Sequence, residues 1–153
     1  MYETLGKENI SYCLEHSEVT TCFCNQDTLK TLLTLKNLGN LKNIVTFDPI
    51  SKETEESLKN MKLNLFNFSD ALKPPSKPVS LEQFPVNRET ILAFSYTSGT
   101  TGQPKAALIS HGNLLCFVAA AIQVDSKFMP DDVYLSYLPL PHIMERLSIV
   151  SLA

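Results

Sequence analysis

The chain of 153 residues carries 13 Lys and Arg against 16 Asp and Glu, a net charge of -3 at pH 7. This balance leaves no basic field that could hold nucleic acid or an anionic membrane surface. Apolar residues make up 44% of the chain and charged residues 19%, which predicts a packed core and excludes disordered and collagen-like classes.

The first half of the chain alternates short β-favouring runs with helix-like segments, a pattern typical of a parallel sheet flanked by helices. The predicted strands are 19–24, 43–47 and 63–68. Leucines from Leu29 to Leu38 recur at helical spacing after Asn25 and before Gly39, and they predict an amphipathic helix. A charged helix is expected over 52–59. We therefore predict an α/β fold, with a βαβ-type segment over 18–72 and a mostly parallel sheet.

Four cysteines occur, at Cys13, Cys22, Cys24 and Cys116. No secretion signal opens the chain, so all four are expected to be reduced and the chain to face the cytosol. Cys22 and Cys24 form Cys-x-Cys, which is neither a zinc spacing nor the redox Cys-x-x-Cys. The favoured interpretation is that Cys22 and Cys24 are two small residues on one face of a strand. The alternative is a redox or zinc module.

A proline-rich connector is predicted over 73–90, and a second segment over 91–153. In that segment, 91–96 is expected to be a strand covered on both faces, followed by a strand over 106–110. Asn113 is the expected N-cap of a buried helix over 114–124. Further predictions are a strand over 133–138 and a helix from Met144 to the end.

Residues 97–105 combine four hydroxyls, two glycines and one lysine directly after the strand expected over 91–96. Polyphosphate needs hydroxyl donors, backbone N–H groups unobstructed by Cβ atoms, and a cation, and this segment supplies all three. The Walker A pattern is absent, because Pro104 precedes Lys105 and Ala106 follows it. Since Pro104 disfavours the helical region for Gln103, the chain should leave the loop as a strand. The alternative is a flexible surface loop.

The stretch from Tyr96 to Lys105 resembles the signature loop of the adenylate-forming superfamily, which includes acyl-CoA synthetases. Residues 2–6, 16–19 and 136–146 resemble the long-chain acyl-CoA synthetases in particular. The chain is identified on these residues as an internal piece of the AMP-binding N-terminal domain of such an enzyme.

The resemblance implies a two-step reaction in which Mg-ATP and a long-chain fatty acid give an acyl-adenylate, and coenzyme A then displaces AMP. Lys105 and His142 are the implied catalytic residues, with His142 beside the acyl and adenylate pocket. The implied phosphate-binding residues are Thr97, Ser98, Gly99, Thr100, Thr101, Gly102 and Lys105. The implied cofactors are ATP, Mg²⁺ and coenzyme A, with no metal ligand in this chain and no nucleic acid partner. The resemblance implies that the full-length enzyme contacts a membrane only through regions that this chain lacks. The implied membrane is the endoplasmic reticulum or the mitochondrial outer membrane.

Several readings stay open beside that one. His142 could be a structural hydrogen-bonding group, and Glu145 and Arg146 could form an ion pair or have separate partners. The family usually has Gly at the position of Ala106 and Ala at that of Pro141. The family's acidic metal ligand and its C-terminal lysine fall beyond Ala153, so the chain is expected to be inactive alone. Another adenylate-forming ligase, for medium-chain or aryl acids, and a non-catalytic truncated product are the alternative functions.

Overall fold

The computed structural model describes residues 6–77, 80, 84–97, 102–123, 129, 131–140 and 142–152. These residues form two compact units, which divide between Val79 and Ser80. The first unit lies within Glu3–Val79 and the second within Ser80–Ala153.

The first unit is a three-stranded parallel sheet with a helix in each of its two strand connections and a further helix before the first strand and after the last. Its elements are α1 (Lys7–Ser17), β1 (Thr21–Cys24), α2 (Gln26–Leu33), β2 (Asn43–Thr46), α3 (Lys52–Asn60), β3 (Asn64–Asn67) and α4 (Phe68–Ala71). The strand order is β1-β2-β3, and Cys22, Ile44 and Leu65 occupy one row of the register. The α/β class and the parallel sheet predicted for this half of the chain are confirmed.

The core of the first unit lies on the sheet face that carries Cys24 and Ile44. Leu14 of α1, Leu29 of α2 and Leu58 of α3 are almost completely buried in one cluster with these strand residues. Full burial of each such leucine contributes about 1.5–3 kcal/mol. Strand residues alternate between faces, so the aromatic side chains of β1 and β3 lie on the opposite face. There Phe23, Phe47 and Phe66 are about half exposed.

The helix predicted to reach Leu38 is shorter than expected. Asn25 is its N-cap, and the Asn25 side chain accepts a hydrogen bond from the Thr28 N–H at 2.8 Å. The helix ends at Leu33, because the hydroxyl and the N–H of Thr34 both turn back to the Thr31 carbonyl. Leu35 is nevertheless buried, so the apolar spacing continues through a turn. The helix α1 had no counterpart among the predicted elements.

The second unit contains β4 (Ile91–Thr97), β5 (Lys105–Ser110), α5 (His111–Gln123) and α6 (Ile143–Leu152). β4 and β5 pair antiparallel, with an irregularity between Ile91 and Ala93. The expectation that 91–96 is covered on both faces is wrong, since Ile91, Leu92 and Phe94 are 40–49% exposed. The strand predicted over 133–138 is also wrong. That segment forms no regular element and pairs with no strand of the described chain.

The helix α5 begins three residues earlier than predicted, at His111 instead of Leu114. The Ser110 hydroxyl accepts from the Asn113 N–H at 3.1 Å, and the Asn113 side chain accepts from the Ser110 N–H at 3.0 Å. This reciprocal capping box makes Ser110 the N-cap, which corrects the assignment to Asn113. The expected burial is corrected too, since Leu115 and Ile122 are each more than 60% exposed. No helix of the described residues has the length and apolar character needed to cross a membrane.

Candidate functional site

The candidate phosphate loop connects the two strands of the hairpin. Thr97 ends β4 and Lys105 begins β5, and these two residues are the last pair of the register. The Thr97 hydroxyl donates to the Lys105 carbonyl oxygen at 3.4 Å. Ser98, Gly99, Thr100 and Thr101 lie outside the described residues. The strand on each side of the loop agrees with the sequence prediction.

The chain re-enters the hairpin through Gly102, Gln103 and Pro104. Gly102 has a φ of +93°, a conformation that residues with a Cβ rarely adopt, and no atom of the described residues would lie within 4 Å of a Cβ added to it. Pro104 is buried, and the chain continues from it directly into β5 as predicted. Ala106 has a negative φ, so its Cβ causes no backbone strain there.

Lys105 lies at the loop end of the hairpin with an exposed side chain. An exposed ammonium is free to reach an anion held by the loop, in contrast to a lysine fixed in an ion pair. The ion pairs of the described residues join Lys30 with Asp27 and Lys73 with Asp70, and none involves Lys105. Thr97 is also exposed. The described part of the loop thus presents a hydroxyl and a cation side by side at one end of the hairpin.

His142 directly precedes α6 and caps its first turn. The His142 Nδ1 accepts a hydrogen bond from the Met144 N–H at 3.3 Å, and its carbonyl oxygen accepts from the Glu145 N–H at 3.1 Å. The backbone N–H of His142 donates to the Pro139 carbonyl oxygen at 2.8 Å. Because Nδ1 is an acceptor in this arrangement, the neutral ring carries its proton on Nε2. Pro141, expected to stiffen the approach to His142, lies outside the described residues.

The two residues after Met144 have separate partners and form no ion pair with each other. Glu145 is completely buried, and its carboxylate accepts hydrogen bonds from the Tyr134 hydroxyl at 3.0 Å and from the Ser136 hydroxyl. The Arg146 Nε donates to the Leu140 carbonyl at 3.0 Å. Of the two arrangements that the sequence left open, the structure has separate partners. Sequence reasoning missed Tyr134 and Ser136, although in the strand predicted over 133–138 their spacing of two would place both side chains on one face.

An apolar cavity of about 300 Å³ lies in the second unit. Its lining comes from both strands, from α5 and from the segment around His142, and among the described lining residues only Arg146 is charged. The lining residues are Leu92, Ala93, Ile109, Leu114, Leu140, Ile143 and Arg146. The described contacts include none between His142 and the hairpin loop, so the structure shows these two parts of the candidate site separately.

Cys22 and Cys24 lie at the core of the first unit. All four cysteines are free thiols, and Cys24 is buried while Cys22 is partly buried against the same core. A hydrogen bond from Cys24 lowers the pKa of Cys22 and raises that of Cys24, and burial raises the pKa of Cys13. No group of three or more His, Cys, Asp or Glu in the described residues could hold a metal ion. Packing on one strand face, as predicted, accounts for this pair.

The whole chain, residues 1–153, matches the family described as AMP-binding enzyme. It is 38% identical over 152 residues to Fatty acyl-CoA synthetase B of Dictyostelium discoideum, covering 98% of this chain and 22% of that protein. It is 34% identical over 148 residues to Long chain acyl-CoA synthetase 7, peroxisomal, of Arabidopsis thaliana, covering 95% of this chain and 21% of that protein. The chain therefore spans between a fifth and a quarter of the length of these relatives.

Solved structures share the fold of this chain at lower identity. A putative long-chain-fatty-acid CoA ligase from Rhodopseudomonas palustris superposes with a TM-score of 0.72 at 21% identity, covering 99% of this chain and 34% of that one. The A-PCP didomain of a carboxylic acid reductase from Segniliparus rugosus, in complex with AMP, has a TM-score of 0.66 at 17% identity. That match covers 97% of this chain and 23% of the didomain.

Proposed function

We propose, from the premise that this chain belongs to the AMP-binding enzyme family, that the full-length protein activates a long-chain fatty acid with ATP. The carboxylate oxygen attacks the α-phosphorus of ATP, the bond from that phosphorus to the oxygen bridging to the β-phosphate breaks, and pyrophosphate leaves. The coenzyme A thiolate then attacks the acyl carbonyl, and AMP leaves with the electron pair of the broken acyl–oxygen bond. The products are acyl-CoA, AMP and pyrophosphate.

The observation that carries the proposal is the hairpin closed by the Thr97–Lys105 pair. The loop that it closes contains Ser98, Gly99, Thr100, Thr101 and Gly102, the donor set that a polyphosphate requires. We propose that these residues, together with Thr97 and Lys105, bind the β- and γ-phosphates of ATP. The Lys105 ammonium acts electrostatically, because it stabilises the negative charge that develops on the departing pyrophosphate.

His142 is proposed to border the reacting carboxylate. With Nδ1 occupied by the Met144 N–H, the Nε2–H is the group that can donate to a carboxylate or adenylate oxygen. That geometry favours a role for the His142 imidazole as a neutral hydrogen-bond donor over a role as a general base. Mg²⁺ enters as the Mg-ATP complex through phosphate oxygens, and no protein ligand for it is proposed.

The proposed fatty substrate agrees with the names of the relatives and with the apolar cavity beside Ile143. Apolar walls with one charged group are the usual lining of a pocket for an amphiphilic ligand. The proposed location is the cytosolic side of the endoplasmic reticulum or of the mitochondrial outer membrane. Two similar proteins of Arabidopsis thaliana, Long chain acyl-CoA synthetases 7 and 6, are named as peroxisomal.

Pyrophosphate exchange into ATP tests the proposal on the full-length protein. Exchange should depend on a carboxylic acid and be faster with palmitate than with octanoate or benzoate. Faster exchange with octanoate or benzoate would assign the protein to the medium-chain or aryl ligases. Absence of exchange with every acid, together with no measurable ATP binding, would overturn the assignment of the loop.

A further inference from the structure

We propose that Glu145 is a positioning residue for His142, acting through its buried hydrogen bonds to Tyr134 and Ser136. This inference rests on the function proposed for His142. It assigns a role in the same site to three residues that do not touch the phosphate loop in the described contacts.

Burial of the Glu145 side chain is the first observation. The residue is 0% exposed, whereas the neighbouring segment 131–137 is exposed throughout. A buried carboxylate is costly unless its oxygens receive hydrogen bonds. Both oxygens do, since Oε2 accepts from the Tyr134 hydroxyl and Oε1 from the Ser136 hydroxyl. Hydrogen bonds to a charged acceptor are stronger than neutral ones, so this contact holds segment 134–136 firmly against α6.

The link from Glu145 to His142 runs through the first turn of α6. The Glu145 N–H donates to the His142 carbonyl, and the Met144 N–H between them donates to the His142 Nδ1. The His142 N–H in turn donates to Pro139, which follows the segment that Tyr134 and Ser136 anchor. His142 is therefore held on both sides along the chain. The preceding segment holds the His142 backbone through the Pro139 carbonyl, and the first turn of α6 holds the imidazole ring through the Met144 N–H.

A carboxylate suits this position better than an amide does. Two hydroxyl donors can both point at the two oxygens of Glu145, whereas a glutamine offers one oxygen and an NH₂ group. Glu145→Gln would keep the volume but lose one of the two hydrogen bonds in its present direction. Tyr134→Phe removes one donor at a residue that is 41% exposed, so its effect on packing is small.

The activity-independent test is carbethoxylation of histidine by diethyl pyrocarbonate in the full-length protein, followed by peptide mass spectrometry. The chain contains three histidines, so His16 and His111 serve as internal controls. In Tyr134→Phe and in Glu145→Gln, the rate at His142 should rise about fivefold, as expected for the loss of one hydrogen bond. The rates at His16 and His111 should not change. Tyr137→Phe, whose ring is 74% exposed in the same segment, is the matched control and should leave the His142 rate unchanged.

The test of function is a pair of substitutions. Tyr134→Phe should lower pyrophosphate exchange at saturating ATP about fivefold without changing the KM for ATP, and it should have no further effect in a His142→Ala background. An equal loss in both backgrounds would overturn the proposal, as would an unchanged His142 modification rate in variants that keep the melting temperature. If the unsubstituted protein shows no exchange, the proposed function fails, while the carbethoxylation rates still decide whether Glu145 positions His142.

Discussion

Gly39 lies so close to α1 that a Cβ added to it would stand 2.8 Å from the Glu15 Cα and 2.9 Å from the Leu14 carbonyl oxygen. Its φ is +57°, in the left-handed region. Both neighbours are backbone atoms, which cannot swing aside as a side chain would. The turn after α2 therefore depends on glycine for two independent reasons, its conformation and its contact with α1.

The first prediction concerns that contact. Gly39→Ala should lower the free energy of unfolding by about 2–4 kcal/mol, because it adds both left-handed strain and a backbone clash. Urea denaturation measures the change. Gly6→Ala is the matched control, since no atom of the described residues lies within 4 Å of a Cβ added there. It should cost at most about 1 kcal/mol at its N-cap position. Equal losses in the two variants would show that the close approach has no energetic weight.

A second prediction tests the phosphate loop. Lys105→Ala in the full-length protein should reduce kcat/KM for ATP about ten- to a hundredfold, because one charge-assisted hydrogen bond is worth about 1.5–3 kcal/mol. Steady-state kinetics of pyrophosphate release provides the measurement. Lys77→Ala, at an exposed residue of the connector, should leave the value unchanged. Full turnover after replacement of Thr100, Thr101 and Lys105 together by alanine would refute the phosphate-binding role.

The capping box at the start of α5 yields a third prediction. Ser110→Ala and Asn113→Ala should each destabilise the protein by about 1 kcal/mol, because each removes one half of the reciprocal pair. The double variant should lose less than the sum of the two single losses, because the two hydrogen bonds support one another. A thermodynamic cycle from urea melts checks this. Strict additivity would mean that the two hydrogen bonds act independently.

A fourth prediction concerns thiol reactivity and pH. The hydrogen bond from Cys24 lowers the pKa of Cys22, so the Cys22 thiolate is populated at a lower pH than an unassisted thiolate would be. The rate of alkylation at Cys22 should therefore reach its plateau at a lower pH than in Cys24→Ala, where the donor is lost and the curve moves to higher pH. Peptide mass spectrometry after iodoacetamide treatment measures both curves. Cys13→Ala should leave the Cys22 curve in place, and coincident curves in the native and Cys24→Ala proteins would contradict the assignment.

The fifth prediction is that the purified chain of 153 residues forms no acyl-CoA from oleate, ATP and coenzyme A. It spans 22% of the length of Fatty acyl-CoA synthetase B, and the family resemblance implies an acidic metal ligand and a C-terminal lysine that are not among its residues. Chromatography of the reaction mixture checks the prediction. Formation of oleoyl-CoA above a protein-free blank would show that these residues suffice for the reaction.

Local chemistry explains what could be predicted from the sequence. The three parallel strands, the start of a helix after Asn25 and the strand after Pro104 were all predicted correctly. Each depends on hydrogen bonds or steric limits among residues a few positions apart. The loop between Thr97 and Lys105 could be predicted for the same reason, because its hydrogen-bond donors are consecutive residues. Its role in phosphate binding stays a prediction, since four of its residues lie outside the described structure.

Long-range pairing accounts for what could not be predicted. The apolar run over 133–138 has the composition of a strand, yet whether it pairs depends on which backbone edge lies beside it. Two of its hydroxyl groups instead reach Glu145, a partner nine and eleven residues away. In the same way, Leu115 and Ile122 have the residue types of a core helix but are exposed here. Sequence alone therefore determined the three parallel strands, the two hairpin strands and the donor-rich loop, but it missed α1 and assigned a strand to 133–138. Tertiary structure decided which of their faces are covered and which buried polar groups meet, because burial depends on neighbours that are distant along the chain.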